Sequence, residues 1–245
     1  MISFFVAALN EEENIEAALE TITSATKQTG IDTYQVIAVN DGSTDRTGEI
    51  LRGLLPKYPQ MEIITHPTNL GMSASIQDAL KLARYDRCLF VPGDNDLSKD
   101  LLSMMLKHWR TADMVLLFPI NAEIRSYFRN ILSLLYRFAY MVGFGVTVNY
   151  VNGNCIYTTS QLRGLTIQGR RFSIISEINT KLLRSGATYC EIPGYFQTGS
   201  RPRGTVSFKN LMAVCESYLR LLLEIHVSNR ARYSKPAKRV FIKFN

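Results

Sequence analysis

The sequence predicts an α/β fold, a mostly parallel sheet with helices on both faces, and three observations predict it. Apolar runs alternate with amphipathic stretches through residues 1–120, the order expected of strand–helix units. The apolar runs are continuous, as strands buried on both faces require. The polar clusters Asn10-Glu11-Glu12, Asp41-Gly42 and Asp94-Asn95-Asp96 each follow one of these runs, at the carboxyl edge where such sheets bind ligands.

In chain order, residues 2–9 read as a buried strand and 11–27 as a helix. Asn10 is the expected cap, with Glu13 in the capping-box position. Tyr34–Asn40 is a second strand, and a helix capped by Ser43 or Thr44 runs to Leu55. Met61–Thr65 is a short third strand, and a Pro/Asn/Gly loop leads to a helix over 73–84. Arg87–Val91 is a fourth strand, 101–110 a helix and Met114–Phe118 a fifth strand. Beyond residue 120 the pattern changes. Residues 125–148 are apolar and helical in period, with Arg125, Arg129, Ser133 and Arg137 along one stripe. Residues 149–159 read as irregular, 175–184 as a helix, 188–192 as a strand, 194–207 as a loop and 209–227 as a final helix. The expected organisation is one domain over 1–227, with halves at 1–120 and 121–227, and a tail over 228–245.

Composition excludes several classes. At 245 residues, 46% hydrophobic and 20% charged, the chain can bury a core, so disorder is not its main state. Four widely spaced cysteines without a CxxC pair exclude a disulfide scaffold. The start lacks the basic residues of a secretory signal, and the central uncharged run, residues 138–148, is short of the roughly 20 residues a span needs. Most of the net charge of +7 sits in the tail, in Arg230, Arg232, Lys235, Lys238, Arg239 and Lys243. That tail suits an anionic surface or plain solvation. With only Tyr233 and Phe241 as aromatics, it is not expected to bind nucleic acid.

The sequence carries no GxGxxG after its first strand, no GxxxxGK[ST], no HExxH and no GxSxG. His66, His108 and His226 are scattered. What remains is Asp94-Asn95-Asp96, two carboxylates on a turn that can share a hard divalent cation, or simply good turn material.

The motifs resemble those of the family-two glycosyltransferases of GT-A fold, especially the polyprenyl-phosphate sugar transferases such as the dolichol-phosphate mannose synthases. Val6-Ala-Ala-Leu-Asn-Glu-Glu-Glu-Asn14 is similar to the family's V-P-A-Y-N-E-E-x-N. Val39-Asn-Asp-Gly-Ser-Thr-Asp-Arg-Thr47 resembles V-D-D-G-S-x-D-x-T. Asn69-Leu-Gly71 with Ala74 resembles N-x-G-x-x-x-A, and Asp94-Asn95-Asp96 stands in the place of D-x-D. The resemblance is firm over 1–120 and loose over 121–210.

This resemblance implies a Rossmann-like sheet with an acceptor-side helical region, and an inverting, metal-dependent hexosyl transfer. The donor would be a UDP- or GDP-linked sugar, the acceptor polyprenyl phosphate, and the cofactor Mg²⁺ or Mn²⁺. It places the chain in the cytoplasm, peripheral at the inner membrane face. It implies that Asp41 bonds the base, that Ala8, Glu11 and Asn95 line the nucleotide-sugar site with it, that Asp94 faces the ribose or the metal, and that Asp96 holds the metal. Arg129 and Ser133 have the family's R-x-x-x-S spacing, and Arg201 belongs to R-x-x-G. With Arg125 these would hold the acceptor phosphate, since a guanidinium fork binds two oxygens at once. Asp96, Arg129 and Arg201 are the expected catalytic set. Two rival readings stand beside it: a saccharide hydroxyl acceptor, for which Glu177 would be the base, or a non-catalytic nucleotide-binding, membrane-associated protein. The chain departs from the family pattern at Ala7, Leu9 and Pro119, and at Asp78, where a small residue is usual.

Overall fold

The computed structural model describes residues 1–121, 127–169, 173–195 and 208–242. They form two compact units, Met1–Trp109 with Asn154–Gly164, and Arg110–Gly153 with Leu165–Asn245. The first unit therefore closes near Trp109 rather than at residue 120, and takes back a short later segment.

The first unit holds the strands β1 (Ile2–Ala8), β2 (Tyr34–Asp41), β3 (Met61–His66), β4 (Arg87–Pro92) and β6 (Cys155–Thr158) in the order β3-β2-β1-β4-β6. β1 pairs parallel with both β2 and β4, in a register that sets Ala8 beside Asn40 and Ala7 beside Pro92. This register ends three strands together and gathers the loops that follow them. β6 pairs antiparallel with β4. The sequence shows only an irregular stretch here, because a four-residue strand is too short to display a period. The helices are α1 (Ile15–Gln28), α2 (Thr47–Leu54), α3 (Met72–Leu82), α4 (Lys99–Lys107) and the single turn α6 (Thr159–Arg163). α1 buries Ile15, Ala18, Leu19, Ile22 and Ala25, one face at i, i+3, i+4 and i+7 spacing.

Both expected caps at this edge are replaced. Asn10 lies in the left-handed region at φ 57°. Its side-chain oxygen accepts the Thr44 N–H at 2.9 Å, while α1 starts only at Ile15. Ser43 and Thr44 do not cap α2. The Asp45 carboxylate accepts the Thr47 N–H at 3.0 Å, and the Ser43 hydroxyl accepts the Asn10 N–H. The residues chosen as caps tie one loop to the next, which hydrogen-bonds as many backbone donors as capping would.

The second unit holds β5 (Met114–Pro119), β7 (Thr188–Gly194) and β8 (Lys238–Arg239), paired parallel in the order β5-β7-β8. Its helices are α5 (Tyr127–Phe144), α7 (Ser173–Arg184) and α8 (Phe208–Leu223), the last continuing as a π-helical turn over Glu224–Ser228. α5 stops at Phe144, before the expected residue 148, because Gly145 takes φ 66°. Within the described residues the basic tail packs on its own unit. Tyr233 is buried, its carbonyl accepts from Arg184 Nε at 3.0 Å, and β8 extends the sheet edge.

α5 and α8 pack on each other through small and aromatic residues. The Tyr218 hydroxyl donates to the Ala139 carbonyl at 2.9 Å, and its ring meets Tyr140 and Phe144 edge-on. Each helix leaves large apolar side chains in solvent: Leu134, Leu135, Phe138 and Val142 on α5, and Met212, Leu219 and Leu223 on α8. No helix among the described residues is long and apolar enough to cross a membrane.

Candidate functional site

The site is built on the three loops that the register of β1, β2 and β4 brings to one edge. After β4, Gly93 donates to the Ala7 carbonyl at 3.0 Å, and a Cβ there would stand 2.8 Å from that oxygen. Only glycine lets the turn pass this close to β1. Asn95 then takes φ 58°, and its amide oxygen accepts from the Thr21 hydroxyl of α1 at 2.9 Å. That contact occupies the oxygen expected at the nucleotide sugar and fixes the turn. Asp94 Oδ1 accepts the Asp96 N–H at 3.3 Å.

Asp96 Oδ1 is buried and has no hydrogen-bond partner. A buried acceptor without a donor costs free energy comparable to a lost hydrogen bond unless a positive partner meets it. Among the described residues no three His, Cys, Asp or Glu side chains are grouped to hold a metal. A pair of carboxylates nevertheless fits a hard cation whose remaining positions go to water and phosphate oxygens.

After β2, Asp41 is buried and surrounded by donors. Oδ1 is 2.7 Å from His66 Nδ1 and accepts the Leu70 N–H at 2.9 Å, and Oδ2 accepts the Gly71 N–H at 2.8 Å. A carboxylate offers about four acceptor positions, so Asp41 retains capacity for one more donor. The loop over 67–71 lies tightly against it. A Cβ on Gly42, itself at φ 71°, would come within 2.3 Å of the Thr68 backbone. After β1, Glu11 is buried, its N–H donates to the Thr47 hydroxyl at 2.8 Å, and its carboxylate accepts from Asn14 at 3.0 Å. Ala8 is buried at the end of β1. One unit thus brings together Ala8, Glu11, Asp41, Asp94, Asn95 and Asp96.

Of the acceptor-side residues, Arg125 and Arg201 lie outside the described residues. Arg129 lies on α5 at a position whose side chain is likewise outside them, and Ser133 is half-buried on the same helix. Glu177, on α7, is committed elsewhere. Its Oε1 is 2.6 Å from Lys181 Nζ and accepts the Gln168 N–H at 3.1 Å. Lys181 is fully buried and also reaches Glu224 at 2.9 Å and the Thr166 carbonyl at 2.7 Å.

The residue that sequence reasoning missed is His66. Treated as one of three scattered histidines, it ends β3 beside Asp41, with Nε2 3.2 Å from Asp78 Oδ2. Lys81, 2.6 Å from Asp78, holds that carboxyl below its usual range. The unusual acid on the third helix was the available signal.

The fold is that of known nucleotide-sugar complexes. Glucosyl-3-phosphoglycerate synthase from Mycobacterium tuberculosis, solved with Mn²⁺, UDP-glucose and phosphoglyceric acid, superposes with a TM-score of 0.64 at 16% identity, over 96% of this chain and 80% of that one. A mannosyltransferase from Pyrobaculum calidifontis, solved with GDP-mannose and Mn²⁺, also gives 0.64 at 16% identity, over 93% and 64%. Together with the acidic carboxyl edge of the sheet, this defines a GT-A fold. The model of glycosyl transferase family 2 matches residues 3–166, and the chain belongs to that family. Among curated relatives, a dolichyl-phosphate beta-glucosyltransferase of Trichomonas vaginalis is 33% identical over 96 residues, which are 38% of this chain. The chain spans 28% of the length of that relative.

Proposed function

We propose that this glycosyltransferase moves a sugar, with inversion, from a nucleotide-diphosphate sugar to polyprenyl phosphate at the cytoplasmic face of a membrane. In this reading Asp41 and Glu11 receive the nucleoside, with Ala8 and Asn95 shaping that pocket, and Asp94 and Asp96 hold a divalent cation. Such a cation would offset the charge that develops on the leaving diphosphate. Arg125, Arg129, Ser133 and Arg201 are proposed for the acceptor phosphate.

The observation that carries the acceptor assignment is the outward apolar face of α5 and α8. Leu134 is 64% exposed and Leu219 59% exposed. A water-soluble acceptor needs no such surface, whereas a lipid surface gives these side chains a place to bury. Arg230 and Lys235, exposed in the same unit, add attraction to anionic headgroups. The engagement of Glu177 with Lys181 is consistent with this acceptor. A phosphate is already an anionic nucleophile and needs no base, whereas a hydroxyl does.

The test is transfer of labelled sugar from UDP- and GDP-linked donors, with Mn²⁺, to polyprenyl phosphate in vesicles or to free saccharides. Labelled lipid that is lost on changing Arg129 to Ala, but retained in Glu177→Gln, is the expected outcome. Transfer to the saccharide alone, abolished by Glu177→Gln, would replace the lipid phosphate with a hydroxyl acceptor.

A further inference from the structure

We propose that His66 is a positioning residue for nucleoside recognition: clamped between Asp41 and Asp78, it holds the Asp41 carboxylate and the loop over 67–71 in the arrangement that receives the base. The inference rests on the reading of Asp41 as the nucleoside-side acceptor.

His66 is buried at the end of β3, with only 6% of its side chain exposed. Its two ring nitrogens face two different acids, Asp41 at 2.7 Å and Asp78 at 3.2 Å. Both separations are within hydrogen-bond range, so each ring nitrogen is engaged by a carboxylate on a different element. The ring is therefore held from both sides by acids, and the chain of contacts continues to Lys81 on the surface of α3. Asp41 in turn accepts the N–H groups of Leu70 and Gly71, so one carboxylate fixes both the ring and the loop.

Rotating Asp41 would break three hydrogen bonds at once. Without His66 the buried acid keeps only two backbone donors on a loop that nothing else in this network anchors. Reorientation of the acid then withdraws the remaining acceptor position. Asp78 completes the clamp from the far side by fixing which way the ring faces, as partners behind a ligating histidine do.

The experiment is calorimetry on the full chain with Mn²⁺, titrating UDP, GDP and inorganic pyrophosphate in turn. His66→Ala should weaken the nucleotide that the wild-type chain binds by roughly 10–100-fold. Asp78→Ala, at a half-exposed position on α3, should weaken it by about 2- to 12-fold, the range of one lost hydrogen bond. Asp78→Asn still accepts from the ring and should restore affinity to near the wild-type value. Pyrophosphate, which has no base, should bind all variants alike. Nucleotide affinity unchanged in both alanine variants overturns this inference alone. So does a pyrophosphate affinity that falls in parallel, because the histidine would then hold up the whole edge. A wild-type chain that takes up neither nucleotide overturns the inference together with the reading it rests on.

Discussion

In the first unit Asp41 and Asp78 flank His66, and in the second Glu177 and Glu224 flank Lys181. Both groupings set a nitrogen-bearing side chain between two carboxylates, and their accounts of hydrogen bonds differ. Lys181 has three ammonium protons, and Glu177, Glu224 and the Thr166 carbonyl receive all three. The ammonium has no proton left for a ligand, and the grouping joins α7 to the π-helical turn and the 165–169 segment. The first grouping stays incomplete. Asp41 keeps an acceptor position, and nearby in the same unit Asp96 Oδ1 has no partner. Burial of charge is common to both; what sets the first apart is an open acceptor position at the loop edge where Asp96 Oδ1 lacks a partner.

The two should fail differently when broken, and the largest effect belongs to the second unit. Lys181→Met leaves buried Glu177 and half-buried Glu224 without their cation and should cost about 3–5 kcal/mol of stability, read as a lower urea midpoint at unchanged slope. A loss below 1 kcal/mol would mean that water reaches the pair and that the contrast drawn here is false. Asp96→Ala should show the opposite signature. Metal-dependent nucleotide affinity should fall by roughly 10- to 150-fold, the range of one lost charge-assisted contact, while the urea midpoint stays in place or rises. Equal affinity with Mn²⁺ in mutant and wild type would remove the metal assignment.

A smaller change sharpens the comparison at an intermediate point. Glu191 is buried, accepts the Asn149 N–H at 2.6 Å, and pairs with Arg239 at 3.0 Å, whose side chain is 42% exposed. Solvent screens this cation, so Arg239→Ala should cost about 1–2 kcal/mol, less than Lys181→Met. Thermal melts of the two variants side by side would rank them. The packing of Tyr233 also changes how the tail's membrane role is tested. Removing residues 228–245 takes away buried Tyr233 along with the exposed cations, so charge reversal at Arg230 and Lys235 is the cleaner probe.

How much was legible follows from where the information lies along the chain. Asp41, Asp94 and Asp96 could be placed at one edge because parallel strands of similar length end together, and the loop after each strand is set by its own neighbours in sequence. β6 and β8 could not be read, since strands of four and two residues carry no period and exist only through the strands they join. Asn10 has the composition of a helix cap, and only the packing of Ser43 and Thr44 against it turned it left-handed.

The sequence by itself determined the alternation of strand and helix, the parallel sheet, the family and the acids at its carboxyl edge, because hydrophobic period and turn chemistry act over a few residues at a time. The tertiary structure alone decided which side chains meet across the fold. His66 finds Asp41 and Asp78 at separations of 25 and 12 residues, and Lys181 finds Glu224 on a different helix. Such pairs are settled by the balance of desolvation against hydrogen bonding at the place where elements pack, and no local pattern records that balance.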